Sequence, residues 1–137
     1  MSSQELVLID ACIWVPFFNR PQSPQKREVD QLLDDDRAAL IGPILAEVLS
    51  GFRRDAQADW VASALRGLVY VEVTRDDWRA AARLARQLAS RGHRLPLSDL
   101  ALAAVAQRLD CRVYSSDPHF NLIPAVKLYA PTKVGPA

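Results

Sequence analysis

Leu6-Val7-Leu8-Ile9 is an unbroken aliphatic run that ends abruptly on an acid, Asp10. A strand with one face in water alternates apolar and polar residues, whereas a continuous run needs apolar neighbours on both faces, as in a parallel sheet covered by helices on each side. Parallel strands cannot be joined by a tight turn, so the chain beyond must alternate crossovers with strands. Its punctuation has that form. Pro16, Pro21 and Pro24 divide a short apolar segment and a loop from a helix through about Leu33, for which Ser23 and Pro24 read as N-cap and first position.

Asp34-Asp35-Asp36 closes that helix, Ala38 to Gly42 is a second apolar strand, and Pro43 opens a helix with Ile44, Leu45, Val48, Leu49 and Phe52 on one face. A helix over Asp55 to Leu65 and a strand over Leu68 to Val73 follow. Thr74 and Asp77 form a capping arrangement for a helix reaching Ser90, and Gly92 and Pro96 bracket the next loop. Ser98 is placed to cap a helix rich in small residues through Leu109; Arg112 to Ser115 is a fourth strand and Ala125 to Tyr129 a fifth. The fold class expected is α/β, a three-layer α/β/α sandwich with a central, mostly parallel sheet of four to five strands. At 137 residues the chain fits one domain, expected over 1–130, with a C-terminal tail over 131–137.

Half of the residues are hydrophobic, 24% are charged and the formal net charge is +1, which excludes a disordered chain and a polybasic nucleic-acid arm. The balance is uneven along the chain: residues 1–74 hold seven Lys and Arg against eleven Asp and Glu, and residues 75–137 hold ten against five. Such asymmetry hints at an anionic partner. Two cysteines, Cys12 and Cys111, are too few for a disulfide scaffold or a four-ligand zinc site and read as reduced thiols of a cytoplasmic protein. No secretory leader is read at Met1-Ser2-Ser3-Gln4-Glu5, and the longest apolar stretch, Ala38 to Ala46, is broken by Gly42 and Pro43, so no membrane segment is expected.

Dinucleotide-binding, P-loop and nucleophile-elbow motifs are all missing, which turns the search for chemistry to carboxylates. Asp10 ends a strand, Glu47 lies beside an apolar helix face, Asp99 sits at a helix start and Asp117 follows a strand. In a parallel sheet, ligands bind beyond the carboxyl ends of the strands where strand order reverses, and a central first strand beside the fourth brings Asp10 and Asp117 together there. Four converging carboxylates repel one another unless protonated or bound to a cation, and hard oxygen donors favour Mg²⁺ or Mn²⁺. Each acid also has a plain reading: Asp10 and Asp117 as turn residues, Asp99 as a helix-dipole partner, Glu47 as a solvated flank.

The segments Val7-Leu8-Ile9-Asp10 with Trp14, Ala46-Glu47-Val48-Leu49-Ser50-Gly51, Leu97-Ser98-Asp99-Leu100-Ala101-Leu102-Ala103-Ala104 and Val113-Tyr114-Ser115-Ser116-Asp117-Pro118-His119-Phe120 come in an order and spacing that resemble PIN-domain ribonucleases. Within them, the chain is similar to the VapC-type toxins of toxin–antitoxin pairs. The resemblance implies a PIN-like fold and Mg²⁺- or Mn²⁺-dependent hydrolysis of RNA, with Asp10, Glu47, Asp99 and Asp117 in the family's acidic positions and Ser115 in its small hydroxyl position. It also implies a VapB-like antitoxin as partner and a homodimer. Two positions depart from the pattern: Cys12 replaces a better hydrogen-bonding residue, and His119 stands where many relatives carry another acid.

An acidic pocket repels phosphates, so RNA binding needs cations around it; Arg91 and Arg94 lead toward Asp99, and Arg79, Arg83 and Arg86 recur at helical spacing. His119, close to Asp117, is a candidate for orienting substrate. The aromatic and aliphatic residues of the first two helices, Val15, Phe17, Phe18, Val29, Leu32 and Leu33, are either core or a groove for a partner. The alternatives to a toxin nuclease are a catalytically inactive PIN-like RNA- or protein-binding module and a PIN-like nuclease with no antitoxin.

Overall fold

The computed structural model describes residues 5–131. Strand β1 (Val7–Ile9) has all three side chains fully buried, as its unbroken apolar run demands. Each such side chain contributes about 1.5–3 kcal/mol relative to exposure. Helix α1 (Ala11–Asn19) follows without a loop because Asp10 caps it, and it runs on through Pro16. Helix α2 (Gln25–Asp34) begins after Pro24 with no side-chain cap. Ser23 supplies only its backbone carbonyl, to the Lys26 amide at 3.1 Å, while its buried hydroxyl has no partner among the described residues.

Strand β2 (Ala38–Ile41) leads directly into α3 (Gly42–Ser50), and α4 (Asp55–Ala64) and a 3-10 turn lead into β3 (Val69–Val71). Helix α5 (Arg75–Ala89) starts with the expected capping box: the Thr74 hydroxyl accepts from the Asp77 amide, and the Asp77 carboxylate accepts from the Thr74 amide. Gly92, at φ 83°, turns the chain toward α6 (Leu97–Leu109), a turn a side chain would strain. Strand β4 (Arg112–Tyr114) and a second 3-10 turn (Pro118–Leu122) complete the elements.

The sheet order is β3-β2-β1-β4 with every pairing parallel, flanked by helices, which is the α/β architecture expected. In register, Val7 lies opposite Ala38 on one side and Arg112 on the other, and Ile9 lies opposite Tyr114. The fifth strand expected at Ala125 to Tyr129 is reduced to one parallel bridge, Leu128 beside Val113, with Ala125 at φ 64° breaking extended geometry before it. Of the tail expected over 131–137, all but Pro131 lies outside the described residues.

Helix α6 is buried on every side from Asp99 to Ala106, and its alanines let α5, α3 and β4 approach closely. Arg108 on its last turn reaches back to Asp77, with Nε 2.9 Å from Oδ1 and Nη2 2.9 Å from Oδ2, and also donates to the Glu72 carbonyl. Burial pushes the Asp77 carboxyl up, but the hydrogen bonds from Arg108 and Thr74 outweigh it and hold the group below the ordinary carboxylate value. The depressed value means that this contribution to stability is present above the unfolded-state pKa and fades as pH falls through the folded one. Arg108→Met should therefore cost about 1–3 kcal/mol in urea denaturation at pH 7, and the gap to wild type should close as the buffer is taken below the usual carboxylate range.

Candidate metal centre

The site is built where β1 and β4 end side by side. The Asp10 amide donates to the Tyr114 carbonyl at 2.9 Å, which brings the residues after both strands together. Asp10 is 3% exposed and its two oxygens have separate duties: Oδ1 accepts from the Ala11 amide at 2.8 Å and so caps α1, while Oδ2 accepts from the Ser115 hydroxyl at 2.8 Å and the Cys12 thiol at 3.1 Å. Ser115 also accepts from the Asp117 amide at 3.0 Å, so one small hydroxyl fixes both acids. The Cys12 thiol is pushed up by burial despite its bonds to Ser115 and Ser116, and it is a neutral donor here.

Asp117 caps the second 3-10 turn: its Oδ1 accepts from the His119 amide at 2.9 Å and lies 3.3 Å from the imidazole Nδ1. Asp99 arrives from the first turn of α6, where the positive helix end favours an anion. Glu47, on the exposed side of α3, accepts a hydrogen bond from the Ser98 hydroxyl. Helix α6 starts at Leu97 with Pro96 as cap residue, which frees Ser98 from the capping role expected of it. Its adjacency to Asp99 is the only sequence sign of its true place.

Carboxylate oxygens of Asp99 and Asp117 and a ring nitrogen of His119 all lie within 4.8 Å of one another. Asp10 and Glu47 act on the same spot through their charge. Burial, and then Asp10, Asp117 and Glu47 in that order, push the Asp99 carboxyl up to about 7, with His119 pulling the other way. All four acids expected from the sequence thus meet electrostatically at Asp99. A divalent cation fits this donor set: Asp99 is 5% exposed, and no hydrogen-bond donor meets its carboxylate among the described residues.

Arg91 and Arg94 are exposed on the α5–α6 loop and have no ion pair among the described residues. Arg79, Arg83 and Arg86 are exposed along α5, Arg79 lying 3.6 Å from Asp76. Trp14 is fully buried and packs against Phe17 and Phe18, and Phe18 in turn meets Phe52 and the exposed Trp60. Val29 and Leu32 are core, whereas Val15, Phe17, Phe18 and Leu33 are only half-buried.

The chain is a parallel four-stranded α/β domain with an acidic cluster past the carboxyl ends of the neighbouring strands β1 and β4. The model of the PIN domain matches residues 7–126, and the chain belongs to the PIN domain family. The fold is shared with solved structures of low sequence identity. The crystal structure of VapBC2 from Rickettsia felis bound to a promoter DNA fragment aligns with a TM-score of 0.77 at 18% identity, over 90% of this chain and 97% of that one. DNA-bound VapBC from Salmonella typhimurium aligns at 0.75 and 15%, over 92% and 98%. VapC20 of Mycobacterium tuberculosis, described as a toxin cleaving the sarcin–ricin loop, aligns at 0.66 and 14%, over 85% and 93%. Curated protein sequences give no match.

The raised Asp99 value has a measurable consequence for the metal-free protein. An acid whose folded pKa lies above its unfolded value adds stability that is complete below the unfolded pKa and disappears as pH rises through the folded one, here about 7. In excess chelator, unfolding free energy should fall between about pH 4 and 8 by up to about 4 kcal/mol, and Asp99→Asn should flatten that slope. Urea denaturation at several pH values checks it.

Proposed function

We propose that the protein is a Mg²⁺- or Mn²⁺-dependent endoribonuclease acting as the toxin of a VapBC-type pair. The observation that carries this reading is the buried Asp99 carboxylate, surrounded by Asp10, Asp117 and Glu47 with no hydrogen-bond donor to it among the described residues. Membership of the PIN domain family and the shared fold with VapBC structures support it, and the sarcin–ricin loop named for the Mycobacterium tuberculosis relative points to RNA as substrate.

Asp99 and Asp117 would hold the ion, with Asp10 contributing its Oδ2 side and Glu47 at the rim. When bound, the ion supplies charge that polarises a phosphodiester and acidifies water. The chain supplies the rest. Ser115 and Cys12 fix the Asp10 carboxylate, and Ser115 also fixes the Asp117 backbone, so the acids are in place before substrate arrives. Glu47, hydrogen-bonded by Ser98, would accept a proton from attacking water. Arg91 and Arg94, with the α5 arginines beyond them, offer positive charge to the flanking phosphates, and Ser115 and His119 border the substrate.

Outside the four acids the chain holds seventeen bases against twelve acids, so its body is mildly cationic around an anionic centre. A VapB-like antitoxin is the proposed protein partner, a homodimer the proposed assembly and the cytoplasm the proposed location. No helix among the described residues is long and apolar enough to cross a membrane. The half-buried Phe17, Phe18 and Leu33 are the surface offered to a partner.

Purified protein incubated with structured RNAs should cleave them with Mg²⁺ or Mn²⁺ and not in excess chelator. Asp10→Asn should bring cleavage to background while remaining folded, because Asn also caps a helix. Cleavage that survives chelation, or that Asp10→Asn leaves intact, would reject the reading.

A further inference from the structure

The three side chains that come within ligating distance of one another are not all carboxylates. Among the described residues Asp99, Asp117 and His119 converge, with one ring nitrogen and one oxygen of each carboxylate all within 4.8 Å of one another. Ligands that share one ion at about 2.1 Å lie up to about 4.2 Å apart, so small side-chain rotations close such a set on a single cation. Asp99 is the member that most needs one: it is 95% buried and lacks a donor among the described residues. His119 is held in place from two directions. Its amide is tied to Asp117 Oδ1 at 2.9 Å, which fixes the backbone of the turn, and its Nδ1 lies 3.3 Å from the same oxygen, which sets the ring beside the carboxylate.

An imidazole changes what such a site selects. Mg²⁺ prefers oxygen donors and keeps its water, whereas nitrogen donors strengthen binding of first-row transition ions. We infer that His119 is a direct ligand beside Asp99 and Asp117, and that this mixed oxygen–nitrogen centre selects a first-row ion such as Mn²⁺ or Co²⁺ over Mg²⁺. The inference rests on the proposal that the acidic cluster holds a divalent cation, and it adds the identity of one ligand and of the ion. It also moves His119 from the border of the substrate to the metal. Because the side chain is about half exposed, its replacement leaves the core untouched.

The test is binding, not turnover. Metal-free full-length protein is titrated with Mn²⁺ and, separately, with Mg²⁺ by calorimetry, for wild type, His119→Ala and His119→Asp, with circular dichroism confirming that each is folded. Mn²⁺ affinity should fall about tenfold or more in His119→Ala while Mg²⁺ affinity changes little, and His119→Asp should shift preference toward Mg²⁺. Pulsed paramagnetic resonance of the Mn²⁺ complex should show a directly bonded nitrogen-14 coupling in wild type that both variants lack. Wild type that binds both ions with no nitrogen coupling, or variants that lose the two ions equally, overturns the ligand assignment while leaving the cation proposal standing. Failure of wild type to bind either ion at millimolar concentration overturns both.

Discussion

Carboxylates resist being gathered, and at the edge of this sheet the fold holds four of them close enough to feel one another. Their repulsion is opposed first by backbone. The parallel pairing of β1 with β4 and the bond from the Asp10 amide to the Tyr114 carbonyl fix two chain segments a hundred residues apart in sequence. A single hydroxyl, Ser115, then ties both acids that follow those strands. What cannot be tied is Asp99, brought in by a helix with no free face, and its carboxyl rises to about 7 in consequence. Burial of apolar surface elsewhere in the core supplies the free energy that this concentration of like charge costs.

The same elements that store the repulsion are those the sequence shows plainly. An unbroken aliphatic run followed by Asp10 dictates a strand buried on both faces and an acid at its end, and the structure has both. The Thr74 capping box was legible because its two members are three residues apart and bond each other. Ser23 and Ser98 were not, since a serine before an apolar segment reads as a cap whether or not its hydroxyl is taken elsewhere. At Ser98 a partner 51 residues distant, Glu47, takes it. The fifth strand shortens to a bridge at Leu128, and the left-handed Ala125, which no propensity for that residue announces, takes its first expected residue out of extended geometry.

At the site, the four acids could be picked out one by one, but their meeting depends on strand order, and strand order is a property of the crossovers rather than of any segment. Cys12 and His119 were recognisable as departures from a family pattern; what they do was not. The thiol turns out to be a neutral donor to Asp10, and the imidazole lies against Asp117, and both facts need a third coordinate.

Helix α6 carries a consequence for how the centre can adapt. Surrounded by α5, α3 and β4, and packed through alanines that leave no slack, it acts as a fixed mount for Asp99. Asp117 and His119 sit instead on a short 3-10 turn that is anchored in the core by Phe120, with their own side chains partly exposed. One side of the centre is thus enclosed and the other partly open to solvent. Adjustment to ions of different radius, or to a phosphate as it changes geometry, falls to the turn, and mutational drift that retunes this protein has its room there rather than on the helix.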